Sequence, residues 1–95
     1  MAGYIIARID VTDPEKYKKY TAVTPGLIAK YGGRFVVRGG ETVTLEGPEE
    51  TGRVVVIEFD SLDQAKVFYN SGDYQAAIGL RKAASTGQLI AVAGV

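Results

Sequence analysis

The side chains able to do chemistry in this chain of 95 residues are few in kind. Histidine and cysteine are both absent. That removes imidazole base catalysis, thiolate nucleophiles and the usual protein ligands of zinc and haem. No tightly bound transition metal or other cofactor is expected on that composition; carboxylate-bound magnesium stays open. What remains is guanidinium, amine, carboxylate, phenol and aliphatic hydroxyl. Arg38 and Glu58 are the first pair of interest. Simple alternation along their two strands puts them on one face, where a guanidinium could hold a substrate carboxylate or enolate and Glu58 could act as base or orienting partner. The competing reading is an ion pair that only fixes structure. Tyr74, Ile78 and Arg81 recur at helical spacing, so a cation shares a side with apolar residues. Its stem could simply cover apolar surface with the head in water. The alternative is an Arg81 head turned into a pocket beside Tyr74. Tyr17, Tyr20 and Tyr31 read mainly as core rings that keep a polar end. Tyr20, close to Pro25, is the candidate for a pocket wall.

The elements that must position these residues follow from periodicity. Tyr4 to Val11 alternates, with Ile5, Ala7, Ile9 and Val11 on one side, and reads as a strand. Asp13 with Pro14, or Thr12 with Glu15, opens a helix. Its stripe of Tyr17, Tyr20, Thr24, Leu27, Ile28 and Tyr31 keeps phase through Pro25, which predicts a kink there and a stop at Gly32-Gly33. Tyr31-Gly-Gly-Arg-Phe-Val-Val-Arg-Gly-Gly40 then places a short strand between two glycine pairs. Strict period two sends Arg34, Val36 and Arg38 one way and Phe35 and Val37 the other. A weaker strand is expected at about Thr42 to Leu45, a turn at Gly47–Gly52, and a strong strand at Arg53 to Phe59. Ser61 with Gln64 caps a short helix, interrupted at Asn70-Ser71-Gly72. A renewed helix should run to about Ser85 with Gly87 as its stop. Gln88 to Val95 closes the chain as a strand.

Strand, helix, strand, strand, helix, strand is the split βαβ order. The expected fold class is α+β: one ferredoxin-like βαββαβ domain over residues 1–95, with an antiparallel sheet and helices on one face. The helix face takes Ile5, Ile9, Phe35, Val37, Val55, Ile57 and Phe59. The other carries Tyr4, Ile6, Arg8, Val36, Arg38, Val54, Val56 and Glu58, too apolar for water and too charged for a core. A second copy, sheet against sheet, would satisfy it, so a homodimer is expected.

Several of these segments together resemble a known family. They are Tyr17, Tyr20 and Pro25, the 31–40 segment, Leu45-Glu46-Gly47, Val56-Ile57-Glu58-Phe59, Tyr69-Asn-Ser-Gly-Asp-Tyr-Gln75 and Arg81. The chain resembles the domain of unknown function 1330 family, within the dimeric α/β-barrel superfamily. The resemblance implies a ferredoxin-like protomer and a barrel-forming dimer, without an established activity. Superfamily relatives include small monooxygenases and lactone isomerases. Asp60 stands where the family usually has proline, and Phe68 where it often has tryptophan, so a tryptophan contact to ligand is not carried over.

Two functions fit. One is a cofactor-independent enzyme acting on a small organic acid or carbonyl compound, through Arg38 and Glu58 with Tyr20, Tyr74 and Arg81 at the ligand. The other is a non-catalytic dimer that binds a small ligand or serves structure. Eleven basic and eleven acidic residues cancel, so no basic field recruits nucleic acid or an anionic membrane. The exposed strands also lack the stacking aromatics of an RNA-binding sheet. Gly39-Gly40 is no phosphate loop, because no helix follows to direct amides at an anion; a bulge or strand bend is the expected role. No run approaches membrane-spanning length, and a reduced, cytoplasmic setting is compatible with the missing cysteine.

Overall fold

The computed structural model describes all 95 residues. Gly3–Val11 forms β1, Pro14–Lys30 α1, Arg34–Arg38 β2, Arg53–Phe59 β3, Leu62–Asn70 α2, Gly72–Ala84 α3 and Ser85–Ala93 β4. The strands make one sheet in the order β2-β3-β1-β4, with every neighbour antiparallel. This is the ferredoxin-like βαββαβ topology. The helices cover one face only, and the molecule is accordingly thin, with extents of 32 × 31 × 16 Å.

Local signals start the helices as their sequences dictate. The Asp13 side chain accepts from the Lys16 amide with Pro14 in the first turn, and α1 continues unbroken through Pro25. The Ser61 hydroxyl caps α2 by accepting from the Gln64 amide. Ser71 joins α2 to α3, donating to the Phe68 carbonyl at 2.7 Å and accepting from the Tyr74 amide at 3.1 Å. Between the layers lies a continuous aromatic seam. Phe59 meets Phe68 at 5.2 Å between ring centroids, Phe68 meets Tyr74 at 4.7 Å, and Tyr74 meets Tyr20 at 6.3 Å. Ile5, Ala7, Ile9, Val55 and Ile57 close the core from the sheet side.

Three expectations are corrected. Thr42–Leu45 has no strand structure, and Val43 and Leu45 are exposed. Its alternating residues find no neighbouring strand, and unpaired backbone cannot form a ladder. The last helix ends at Ala84, and β4 begins at once at Ser85. Gly87 lies inside that strand opposite Ile9, where a Cβ would come within 2.2 Å of the Arg8 carbonyl oxygen. It is a glycine of close approach, not a helix stop. The third correction decides where the site lies. Phe35 pairs with Ile57, but Val37, not Val36, pairs with Val56, and Arg38 then pairs with Val55. Two residues of β2 oppose one of β3, which is a bulge. Beyond it the faces exchange: Val37 leaves the core side, and Arg38 enters it.

Candidate functional site

Arg38, displaced by the bulge, projects to the helix side and lies over the Phe35 ring, 4.3 Å from its centroid. There it joins a pocket between α1 and the sheet. The polar lining consists of Tyr17, Tyr20, Thr21 and Thr24 from α1, Arg38 and Arg53 from the strands, and Tyr74 and Arg81 from α3. Ile5, Ile9, Ile28, Phe35 and Phe68 supply much of the apolar wall. The cavity is small, about 40 Å³. Of the five residues singled out by sequence, Arg38, Tyr20, Tyr74 and Arg81 come together here. Glu58 does not.

Glu58 belongs to the opposite face. It accepts from Arg34 at 2.8 Å and from the Tyr4 hydroxyl at 3.1 Å. The expected Arg38–Glu58 neighbourhood is therefore absent, because the bulge puts the sheet between them. Arg34, paired directly across from Glu58, takes the place that Arg38 was expected to fill.

Inside the pocket, Arg81 is buried at 8% exposure and donates to the Tyr74 hydroxyl at 3.0 Å. The Tyr74 and Tyr20 hydroxyls share a further hydrogen bond at 2.6 Å. A chain of guanidinium, phenol and phenol thus runs from α3 to α1. Ser71 fixes its start, since the amide it caps is that of Tyr74. Burial pushes the Tyr20 hydroxyl far above the ordinary phenol range, and the neighbouring Tyr74 adds to that. Burial also raises Tyr74, although the Tyr20 hydrogen bond and the Arg81 charge both pull it back. Tyr17 is raised by burial, with Arg53 opposing. All three remain neutral donors near pH 7.

Arg53 is the residue that sequence reasoning missed. Its Nε is buried without a hydrogen-bond partner. Its guanidinium lies against Gly39, where φ is +66° and a Cβ would come within 2.4 Å of Nη1. Gly39 is thus needed both for its left-handed backbone and for the space Arg53 occupies. The signal was present: Arg53 extends the period-two series of Val55, Ile57 and Phe59, so it lies on the apolar side.

The pocket's electrostatics are one-sided. Arg38, Arg53 and Arg81 line it, and no aspartate or glutamate does. The salt bridges of the chain are Arg8–Glu50, Lys18–Glu15, Lys30–Asp73 and Arg34–Glu58. None involves a pocket arginine. Guanidinium donates and never accepts, so the site offers permanent positive charge, neutral hydroxyls and apolar walls. No group of histidine, cysteine or acidic residues is arranged to hold a metal ion.

Comparison with known proteins places the chain in context. The family model described as domain of unknown function (DUF1330) matches residues 2–95. No protein of curated function matched by sequence. Among solved structures, a protein of unknown function from Rhodopseudomonas palustris aligns with a TM-score of 0.80 at 20% identity, over 99% of this chain and 82% of that one. SnoaB, a cofactor-independent oxygenase from Streptomyces nogalater, aligns with a TM-score of 0.70 at 17% identity, over 99% and 93%. A dimeric protein of unknown function with a ferredoxin-like fold from Bacteroides fragilis aligns with a TM-score of 0.64 at 17% identity, over 98% and 96%. At these identities the likeness is one of fold.

Proposed function

We propose, for a chain that belongs to the domain of unknown function 1330 family, a homodimer whose protomers each bind a small organic acid or carbonyl compound in the α1–sheet pocket. The observation that carries this reading is the set of three arginines lining an apolar cavity with no carboxylate among them. A buried guanidinium without an anion costs several kcal/mol. Arg81 bears that cost most fully, being buried with no carboxylate in the lining, and a ligand anion would compensate it. Arg38 is exposed and held by its stack on Phe35. It is the rim side chain that would swing aside to admit a small acid.

The inner end of the site, Arg81 with Tyr74 and Tyr20, would stabilise an oxyanion or enolate without a cofactor. An enzyme acting on an enolisable carbonyl compound is therefore the catalytic form of the proposal, and the cofactor-independent oxygenase SnoaB shares the fold. Non-catalytic binding of the same anion is the simpler form, and the missing carboxylate base favours it.

The dimer reading rests on the uncovered sheet face. With the bulge, both Val36 and Val37 are exposed on β2, as are Ile90 and Val92 on β4. Ile6 pairs with Val56 on one side and Ile90 on the other, an apolar row across the sheet. Sedimentation equilibrium at micromolar concentration should give a dimer, and Val56→Asp should give a monomer by burying an unpaired charge. A wild-type monomer would refute the assembly. For the ligand, thermal melts against a panel of small organic acids should show stabilisation of the wild type. Arg81→Met should lose the response while melting no lower in buffer, since it removes an uncompensated buried charge. If no acid stabilises the wild type, the binding reading fails.

A further inference from the structure

We infer that the pocket selects a planar, weakly acidic enol or phenol and holds it as its anion, so that the ligand's own O–H is the group that titrates on binding. This rests on the reading of the pocket as an organic-anion site and specifies the ligand. The bond that breaks is the ligand's O–H. The proton leaves to solvent water, and the electron pair stays on the ligand oxygen.

The first ground is the lack of any other proton acceptor. The chain has no histidine, and the lining has no carboxylate. Tyr17, Tyr20 and Tyr74 hold their own protons more firmly than ordinary phenols do. A neutral O–H entering this site could donate only to hydroxyl oxygens, beside three guanidiniums that favour the charged form. Its anion would instead accept from Arg81 and the tyrosine pair.

The second ground is depth. Arg38 is exposed, Arg53 is half-buried and Arg81 is buried. The cationic groups thus reach from the rim to the floor. Charge–charge attraction strengthens with removal from water, and an opposite charge within about 4–6 Å typically lowers an acid's pKa by about 1–3. The floor, with Arg81 on Tyr74, is where this effect is greatest. The third ground is shape. Phe35, Phe68, Tyr17, Tyr20 and Tyr74 line the cavity, and aromatic rings pack best against flat, conjugated bodies.

The test uses three probes of nearly one shape: 4-nitrophenol, 4-nitroanisole, which cannot ionise, and 4-nitrobenzoate, which is ionised throughout. At a pH below the free phenol's pKa, wild-type protein should turn bound 4-nitrophenol to its coloured phenolate, with its acidity raised tenfold or more. 4-Nitroanisole should compete at least tenfold more weakly. Arg81→Met and, independently, Arg53→Met should each reduce the colour change, whereas Arg34→Met, on the opposite face, should leave it intact. If 4-nitrobenzoate binds but 4-nitrophenol binds uncoloured, or as well as 4-nitroanisole, this inference is overturned and the anion site stands. If neither acid binds, both fall. Should one arginine variant misfold, the other carries the comparison.

Discussion

Arg38 and Glu58 share a sequence pattern but not a side of the sheet. Glu58 is neutralised by Arg34 and Tyr4, while Arg38 rests on Phe35 at the pocket rim. Their energetics should be independent. Arg38→Met and Glu58→Gln should add in urea denaturation to within about 0.3–0.5 kcal/mol. Arg34→Met with Glu58→Gln should show a coupling of up to about 1 kcal/mol, the scale of a part-exposed pair. A strong Arg38–Glu58 coupling would contradict the register. Much of the site was legible at this scale. Tyr74 and Arg81 were singled out by helical spacing, and Tyr20 by the stripe beside Pro25. Arg53 was not, although it continues the period-two series of Val55, Ile57 and Phe59, because a charged residue at the start of a strand reads as its solvated end.

At the scale of elements, the bulge at Val36 and the serine between the last two helices decide the site's geometry. Deleting Val36 would leave Val37 opposite Val56 and Arg38 opposite Val55, the pairing already observed beyond the bulge. A variant one residue shorter should therefore keep its thermal response to organic acids, despite the loss of a strand residue. Loss of that response would show that the bulge's twist, and not its parity, aims Arg38. Ser71→Ala removes a bond to each helix it joins. It should cost about 1–2 kcal/mol in urea denaturation and weaken acid binding by loosening Tyr74. The helices and all four strands of the sheet could be read from the chain, β4 with a late start, because capping residues and apolar periods agree with the final packing. The bulge could not, since Arg-Phe-Val-Val-Arg satisfies unbroken alternation equally well. Thr42–Leu45 failed for a related reason. Its pattern suits a strand, but a strand needs a partner, and alternation says nothing of partners.

For the whole molecule, three neutral tyrosines in one pocket set an alkaline limit. Tyr17, Tyr20 and Tyr74 are raised above the ordinary value of 10.0 by burial. The folded state therefore holds these protons more tightly than the unfolded chain does. The resulting stability is fully present below about pH 10 and is lost as pH rises through the folded values. The melting temperature should fall steeply above pH 10. Tyrosinate absorbance from these three of the six tyrosines should appear only with unfolding. Full ionisation of all six in a protein that still melts cooperatively would contradict the buried hydroxyl chain.

Because of the bulge, five residues of β2 serve two surfaces at once, with Val36 and Val37 outward and Phe35 and Arg38 inward. On the proposed reading, occupancy of the pocket and association of protomers would meet on one short strand and would be linked equilibria. Whatever factor a bound anion contributes to the dimerisation constant, dimerisation must return to the affinity for that anion. Ligand dissociation constants measured across a dilution series should therefore change as the dimer comes apart, and Val56→Asp should hold them at the dilute limit. A protomer that binds its anion with one affinity at every concentration would show that the two faces of β2 act independently.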